Sequence, residues 1–227
     1  MAAPLTPLAA NLVWRDGKVP VSTRFDDPYY AVNDGLGESR HVFLQGNRLA
    51  ARLRPGFRVA ELGFGTGLNM LALSGMVSAM DLPGPVLCTS FEAFPMAAAD
   101  MARALAAFPD IADTAGRLVS QWAAGTDPII LPGLVLTVVP GDARVTLPAW
   151  PHKADAWFLD GFAPARNPEL WEPALLAEVG RHTAPGGTVA TYSAAGAVRR
   201  ALDAAGFDVT RAPGFGAKRH MVTAVLR

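Results

Sequence analysis

The sequence holds a single cysteine, Cys88, so neither a disulfide nor a cysteine-built metal site can form within the chain. Cys88 lies inside the apolar run "PVLCTSF" and reads as a buried spectator. The four histidines, His41, His152, His182 and His220, are scattered, and no two share a helical spacing that suits a common ligand. No metal is therefore expected. An excess of charge of either sign is also lacking. The 20 basic residues balance the 20 acidic ones, which argues neither for nor against a polyanionic partner until their distribution is considered. No run approaches the roughly 18 uncharged apolar residues that a membrane span requires. The start, "MAAPLTPLAANLVW", has no basic stretch leading into an apolar one. The expectation is a soluble, cytoplasmic protein that makes no membrane contact and has no evident obligate protein partner.

What is present suits one domain, since 227 residues with 51% hydrophobic content are enough to bury a single α/β core. Apolar, β-prone runs alternate with helix-like segments. Strands are expected at 58–62, 86–92, 134–139, 156–160, 188–193, 207–211 and 221–226, and helices at 68–80, 95–107, 168–182 and 195–205. The stretch 100–133 shows the weakest pattern. Five β/α alternations imply a parallel sheet covered by helices on both faces, and the last two strands imply a closing antiparallel hairpin. Dinucleotide-binding domains usually continue parallel, whereas an antiparallel end marks the class I S-adenosylmethionine-dependent methyltransferase version of the Rossmann-like fold. That is the fold class expected, with seven strands, mostly parallel. Residues 11–23 read as a hairpin turning at Asp16-Gly17, because that pair tolerates positive φ. Residues 25–44 read as a loop leading into a helix near 45–53. The division expected is an N-terminal extension or lid at 1–44 and the methyltransferase domain at 45–227.

"VAELGFGTGLN" places Gly63, Gly65 and Gly67 between a strand and a helix, so that a ligand can lie against the backbone with no Cβ in the way. A dinucleotide fingerprint has a different spacing and presents its helix to a pyrophosphate. A sulfonium cofactor has no phosphate and sits better near an acid such as Glu61. A purely structural tight turn is the bland alternative. Glu92 ends the next strand, where it either accepts hydrogen bonds from both ribose hydroxyls or is a solvated strand-end charge. Asp142 ends the third, where it either meets an adenine amino group, with Ala143 supplying a backbone donor, or closes an Asx turn. Asp160 ends the fourth strand in "DAWFLDGFAPARNPELW". Methylation of an amine needs a free lone pair in line with the methyl carbon, and a carboxylate there orients the amine and helps remove its proton. A turn cap is the alternative reading. Phe162 and Pro164 either shape the substrate wall or simply pack the loop.

Six segments together, "FDDPYYAVNDGLGESRHVFLQGN", "ELGFGTGLN", "SFEAFP", "DAWFLDGFAPARNPELW", "TYSAAGAVRRALDAAGF" and "GFGAKRHM", resemble the methyltransferase domain of the MnmC family of tRNA wobble-uridine modification enzymes. The resemblance implies methyl transfer from S-adenosylmethionine to the primary amine of 5-aminomethyl-(2-thio)uridine in the anticodon region of tRNA. It places cofactor contacts at Glu61, Gly63, Gly65, Gly67, Glu92 and Asp142, and the catalytic acid at Asp160. Tyr30, Glu38 and Arg40 would belong to a segment closing over the site. Two-headed members of that family carry an FAD-dependent oxidase domain. These residues hold no second dinucleotide motif, so a stand-alone methyltransferase without FAD is expected. Residues 181–227 contain seven Arg or Lys against two acids, and Arg40, Arg48, Arg52, Arg54 and Arg58 form a second basic cluster. Lys218 and Arg219 are the candidates for tRNA phosphate contact, or else lie on a solvated face. Two other readings stay open: a methyltransferase acting on a different amine, and a nicotinamide-binding Rossmann protein.

Overall fold

The computed structural model describes residues 9–227. Near the N-terminus, β1 (Leu12–Arg15) and β2 (Val19–Ser22) pair antiparallel, and the two-residue β3 (Asp27–Pro28) joins β2. Asp16 and Gly17 both take positive φ at the turn, as their residue types predict. The next element was hidden in the sequence. Residues Gly35–Ser39 form a short helix, α1, and the chain continues without interruption as a π-helical turn, Arg40–Gln45. Two glycines mask the helical signal, but Asp34 caps it by accepting a hydrogen bond from the Gly37 N–H at 2.7 Å. The helix expected near 45–53 is therefore displaced toward the N-terminus, and only a 3₁₀ turn, Leu49–Ala51, falls in that range. The boundary expected at 44/45 lies at the end of this continuous helical segment.

From there β/α alternation takes over: β4 (Arg58–Leu62), α2 (Leu68–Ser78), β5 (Val86–Glu92), α3 (Ala98–Leu105) and α4 (Ala112–Ala123). Next come β6 (Ile129–Leu131), β7 (Leu134–Pro140), α5 (Ala143–Thr146), β8 (Ala154–Leu159) and α6 (Pro173–Arg181). The chain closes with β9 (Thr183–Thr191), α7 (Gly196–Ala204), β10 (Phe207–Pro213) and β11 (His220–Leu226). All seven expected strands are present. The weakly patterned stretch supplies α4 and an eighth, three-residue edge strand, β6, which is antiparallel to β7. The helix expected over 168–182 is split. Pro173 disfavours helical geometry at Glu172, which is extended at ψ 140, so a 3₁₀ turn at Pro168–Trp171 precedes α6.

The large sheet runs β10-β11-β9-β8-β4-β5-β7-β6. Strands β4, β5, β7, β8 and β9 pair parallel, and β11 inserts antiparallel between β9 and β10. Neighbouring residues of β8 serve opposite faces. Phe158 belongs to the core that holds Phe43, Met70, Leu71 and Leu118 on one side, and Trp157 to the core that holds Leu147, Leu176, Leu202 and Phe207 on the other. From β4 the sheet grows through β5 in one direction and β8 in the other, which opens a crevice at the carboxyl ends of these strands. Gly63, Glu92, Asp142 and Asp160 all stand on that edge.

Candidate active site

A cavity of about 710 Å³ occupies the crevice. Its floor is the turn after β4. Gly63 takes φ 91, and a Cβ there would run into the backbone carbonyl of Asp160, so only glycine lets the β4 and β8 turns approach so closely. Gly65, also at positive φ, passes under the Tyr29 ring, which a Cβ would meet at 3.2 Å. Gly67 serves a different purpose. It does not line the cavity, and a Cβ on it would strike Leu118 at 2.7 Å and Phe64 at 2.9 Å, so it lets α2 pack against α4.

Glu92 reaches into the cavity from the end of β5 with only 9% of its surface exposed. Its two oxygens accept backbone N–H bonds from Gly65 at 2.9 Å and Phe94 at 2.7 Å. Burial pushes this carboxyl above its ordinary value, while the backbone donors, Gly65 and Phe94 first, pull it back. Each oxygen keeps a lone pair for a ligand hydroxyl. Asp142 caps α5, accepting from the Arg144 N–H at 2.9 Å, and its carboxylate also grips the Arg144 guanidinium. Arg144 in turn reaches Glu172 at 3.1 Å. Asp142 and Ala143 both border the cavity, although the Asp142 carboxylate is committed to the turn and to Arg144.

Asp160 follows β8 at the other end of the cavity. Loss of hydration pushes its carboxyl up to about 7, opposed by the Asn69 amide, which donates to Oδ2 at 2.6 Å. Glu38 pushes it further up and Lys218 draws it down. The loop after Asp160 is clamped from several directions. The Tyr192 hydroxyl donates to the Gly161 carbonyl at 2.7 Å, the Trp171 indole to the Phe162 carbonyl at 2.8 Å, and the Ala163 N–H to Asp27 at 2.8 Å. Phe162 stacks on Phe25 at 4.9 Å and meets the edge of Tyr29 at 5.0 Å. Arg166 pairs with Asp26. The N-terminal segment thus forms an aromatic roof over the loop.

A family model described as S-adenosyl-L-methionine-dependent methyltransferase matches residues 109–227, more than half of the chain. The chain belongs to this methyltransferase family. It is 45% identical, over 97% of its length, to the tRNA 5-methylaminomethyl-2-thiouridine biosynthesis bifunctional protein MnmC of Caulobacter vibrioides, and covers 39% of that protein. With the protein of the same description from Chromobacterium violaceum it shares 43% identity over 96% of its length, covering 34% of the relative. The chain thus spans little more than a third of these curated relatives. Among solved structures it resembles MnmC2 from Aquifex aeolicus, with a TM-score of 0.78, 25% identity, and coverage of 97% of this chain and 71% of that one. The N-methyltransferase NodS from Bradyrhizobium japonicum shares the fold alone, at a TM-score of 0.50 and 12% identity.

In this methyltransferase the sequence-predicted residues separate into groups. Gly63, Gly65, Glu92, Asp142, Ala143, Asp160, Tyr30, Glu38, Phe162 and Lys218 line one cavity. Glu61, Gly67, Pro164, Arg40 and Arg219 do not. Glu61, expected beside a sulfonium, is wholly buried beneath the cavity wall, and its oxygens accept from Asn69 at 2.9 Å and Ser90 at 2.6 Å. Burial pushes it well above the usual carboxylate range. The Tyr30 hydroxyl points away to the carbonyls of Lys18 and Ala104. Lys218 is no free surface cation. Its ammonium meets Glu38 at 2.7 Å and lies 4.0 Å over the Tyr192 ring. Arg219 and Arg40 are exposed. The Arg52, Arg54 and Arg58 part of the basic cluster is adjacent to the glycine turn in sequence but stands at the opposite end of β4, gathered around Asp155. The intervening strand carries the glycine turn to the far edge of the sheet. Sequence reasoning missed Asn69, Tyr192, Phe25, Tyr29 and Asp27.

Proposed function

We propose that this protein methylates the primary amine of 5-aminomethyl-(2-thio)uridine at the wobble position of tRNA, giving the 5-methylaminomethyl product, in the cytoplasm where tRNA resides. The observation that carries this reading is the constellation at the Asp160 end of the cavity: a carboxylate held near neutrality, with an alkylammonium, that of Lys218, already accommodated close by between Glu38 and Tyr192. Such a place suits an amine that must arrive charged and react uncharged.

When bound, S-adenosylmethionine supplies an electrophilic methyl group on its sulfonium. The residues present fit that cofactor, because the Gly63 and Gly65 backbone and the buried acceptor Glu92 line one cavity whose volume lies in the range of small-molecule sites. Glu92 receives the ribose hydroxyls, and Ala143 and Asp142 border the adenine end. Asp160 orients the substrate nitrogen and accepts its proton. A carboxyl at about 7 is a far better base toward an alkylammonium, whose ordinary value is near 10, than one at its usual value near 4. Phe162, Phe25 and Tyr29 exclude water from the reacting atoms, and residues 9–44 act as the lid that carries this roof, residues 1–8 of the expected 1–44 extension lying outside the described residues. Arg219 and Arg40 contact tRNA phosphates. The methyl transfer itself is redox-neutral and calls for no flavin.

Two measurements test the reading. S-adenosylhomocysteine, and not NAD, should raise the melting temperature. Labelled methyl should pass from S-adenosylmethionine to tRNA bearing 5-aminomethyluridine. Transfer to a small-molecule or protein amine, with none to that tRNA, would move the assignment to another acceptor.

A further inference from the structure

The Asn69 side chain stands between two acids. Its Nδ2 lies 2.9 Å from Glu61 Oε1 and 2.6 Å from Asp160 Oδ2, and Ser90 donates to the other Glu61 oxygen at 2.6 Å. An amide nitrogen has two hydrogens, and here both are committed, one to each carboxyl group. Ser90, Glu61, Asn69 and Asp160 therefore form one chain from the sheet interior to the cavity. Asn69 and Glu61 are almost wholly buried, so no water competes for these bonds.

We propose that Asn69 is the positioning residue for methyl transfer, and that Glu61 is its anchor rather than a cofactor ligand. Resting on the amine-methylation reading above, this assigns a direction to the proton. The bond from Asn69 draws electron density from Asp160 Oδ2 and leaves Oδ1 the more basic oxygen, so the proton leaving the substrate nitrogen goes to Oδ1. The nitrogen lone pair freed by that loss forms the new N–C bond as the S–C bond breaks and its electron pair stays on sulfur. Asn69 fixes which carboxylate oxygen faces the amine. Glu61 needs only an acceptor atom toward Asn69 and a partner for Ser90, and an uncharged group meets both needs. An uncharged form also avoids the cost of a buried, unpaired negative charge.

Besides Asn69, the groups facing Asp160 are Glu61 on β4, Glu38 on α1, Lys218 on the β10–β11 loop and Tyr192 after β9. Substituting Asn69 leaves those four in place and removes the one donated bond that favours the ionised form. Carbon-13 NMR of labelled aspartate follows Asp160 without any methyl acceptor. In Asn69→Ala the Asp160 titration should move up by on the order of one unit. The acid limb of the methylation pH profile should follow it, with kcat at pH 7 down by about fivefold and recovering at higher pH. Asn69→Ser, which keeps one donor in place of two, should fall between, and it decides the question if the alanine variant does not fold. Glu61→Gln should keep S-adenosylhomocysteine affinity within about twofold of wild type, because Glu61 holds Asn69 and not the cofactor. An unmoved Asp160 titration in the Asn69 variants overturns the proposal, as does a tenfold loss of S-adenosylhomocysteine affinity in Glu61→Gln. If the wild type leaves aminomethyl tRNA unmethylated, the functional reading falls by itself, and the NMR titration still decides the relay.

Discussion

The two ends of the cavity are built by different means. The Glu92 end is assembled mostly from backbone: the glycine turn after β4, the N–H groups of Gly65 and Phe94, and the start of α5, all within a few residues of strand ends. The Asp160 end is assembled from side chains brought across the whole chain, with Glu38 meeting Lys218 and Tyr192 bonding to Gly161. A cofactor of constant shape can be met by a rigid sheet edge. An amine that must be bound, deprotonated and turned toward a methyl group needs groups whose charge is set by their neighbours. On the proposed function, affinity for the cofactor and reactivity toward the amine belong to different ends, and substitutions should separate them.

The largest effect is expected from Asp160→Asn, which should lower methylation by about 100-fold or more while leaving S-adenosylhomocysteine affinity close to wild type. Calorimetry beside turnover measures both halves. A matching loss of cofactor affinity would merge the two ends. Glu92→Ala is the converse. Losing a buried charged acceptor costs about 1.5 to 3 kcal/mol, so the cofactor dissociation constant should rise about tenfold to a hundredfold. Unchanged affinity would return Glu92 to a purely structural role at the Gly65 and Phe94 turns.

A third expectation concerns pH. The Asp160 carboxyl is raised from 3.8 to about 7, so the base form is lost as pH falls through 7, and the rate should drop by about tenfold per unit below it. Stability moves the opposite way. Between these two values the folded state holds a proton that the unfolded state has released, so stability declines as pH rises through the window. Asp160→Asn removes that penalty and should melt above wild type at pH 8, and no higher than wild type at pH 3. A variant that melts lower at pH 8 would show that the Asn69 bond outweighs the burial cost. The smallest effect is expected from Arg219→Ala. One lost phosphate contact should flatten the salt dependence of tRNA binding by a slope of about 1 and leave cofactor affinity alone. An unchanged slope would mean that tRNA docks elsewhere.

How far each end was legible in the sequence follows from the same difference. The strand positions, the closing hairpin and the ligand-binding edge expected of the sheet rest on local signals, namely apolar runs, turn glycines and an acid at a strand end. Those signals sit within a few residues of the atoms they place. Glu61 shows their limit, because spacing within a glycine motif does not reveal which way a strand side chain points. Asn69 had a readable cue, a lone amide in the otherwise apolar helix start "LNMLAL", but nothing local named its two partners. Lys218 looked like one more cation in a basic tail, since its partner Glu38 is 180 residues away. The aromatic roof was invisible for the same reason. Phe25 and Phe162 share no spacing that a pattern could register.

The central claim, that this cavity methylates a free primary amine on a tRNA nucleoside, is tested most directly by mass spectrometry of nucleosides after incubation of the pure protein with S-adenosylmethionine. Two tRNA preparations are compared, one bearing 5-aminomethyluridine and one its carboxymethylaminomethyl form. We expect 5-methylaminomethyluridine from the first and no change in the second, whose nitrogen is already substituted and whose carboxylate Asp160 repels. Product from the carboxymethylaminomethyl tRNA, or none from the aminomethyl tRNA, would contradict it.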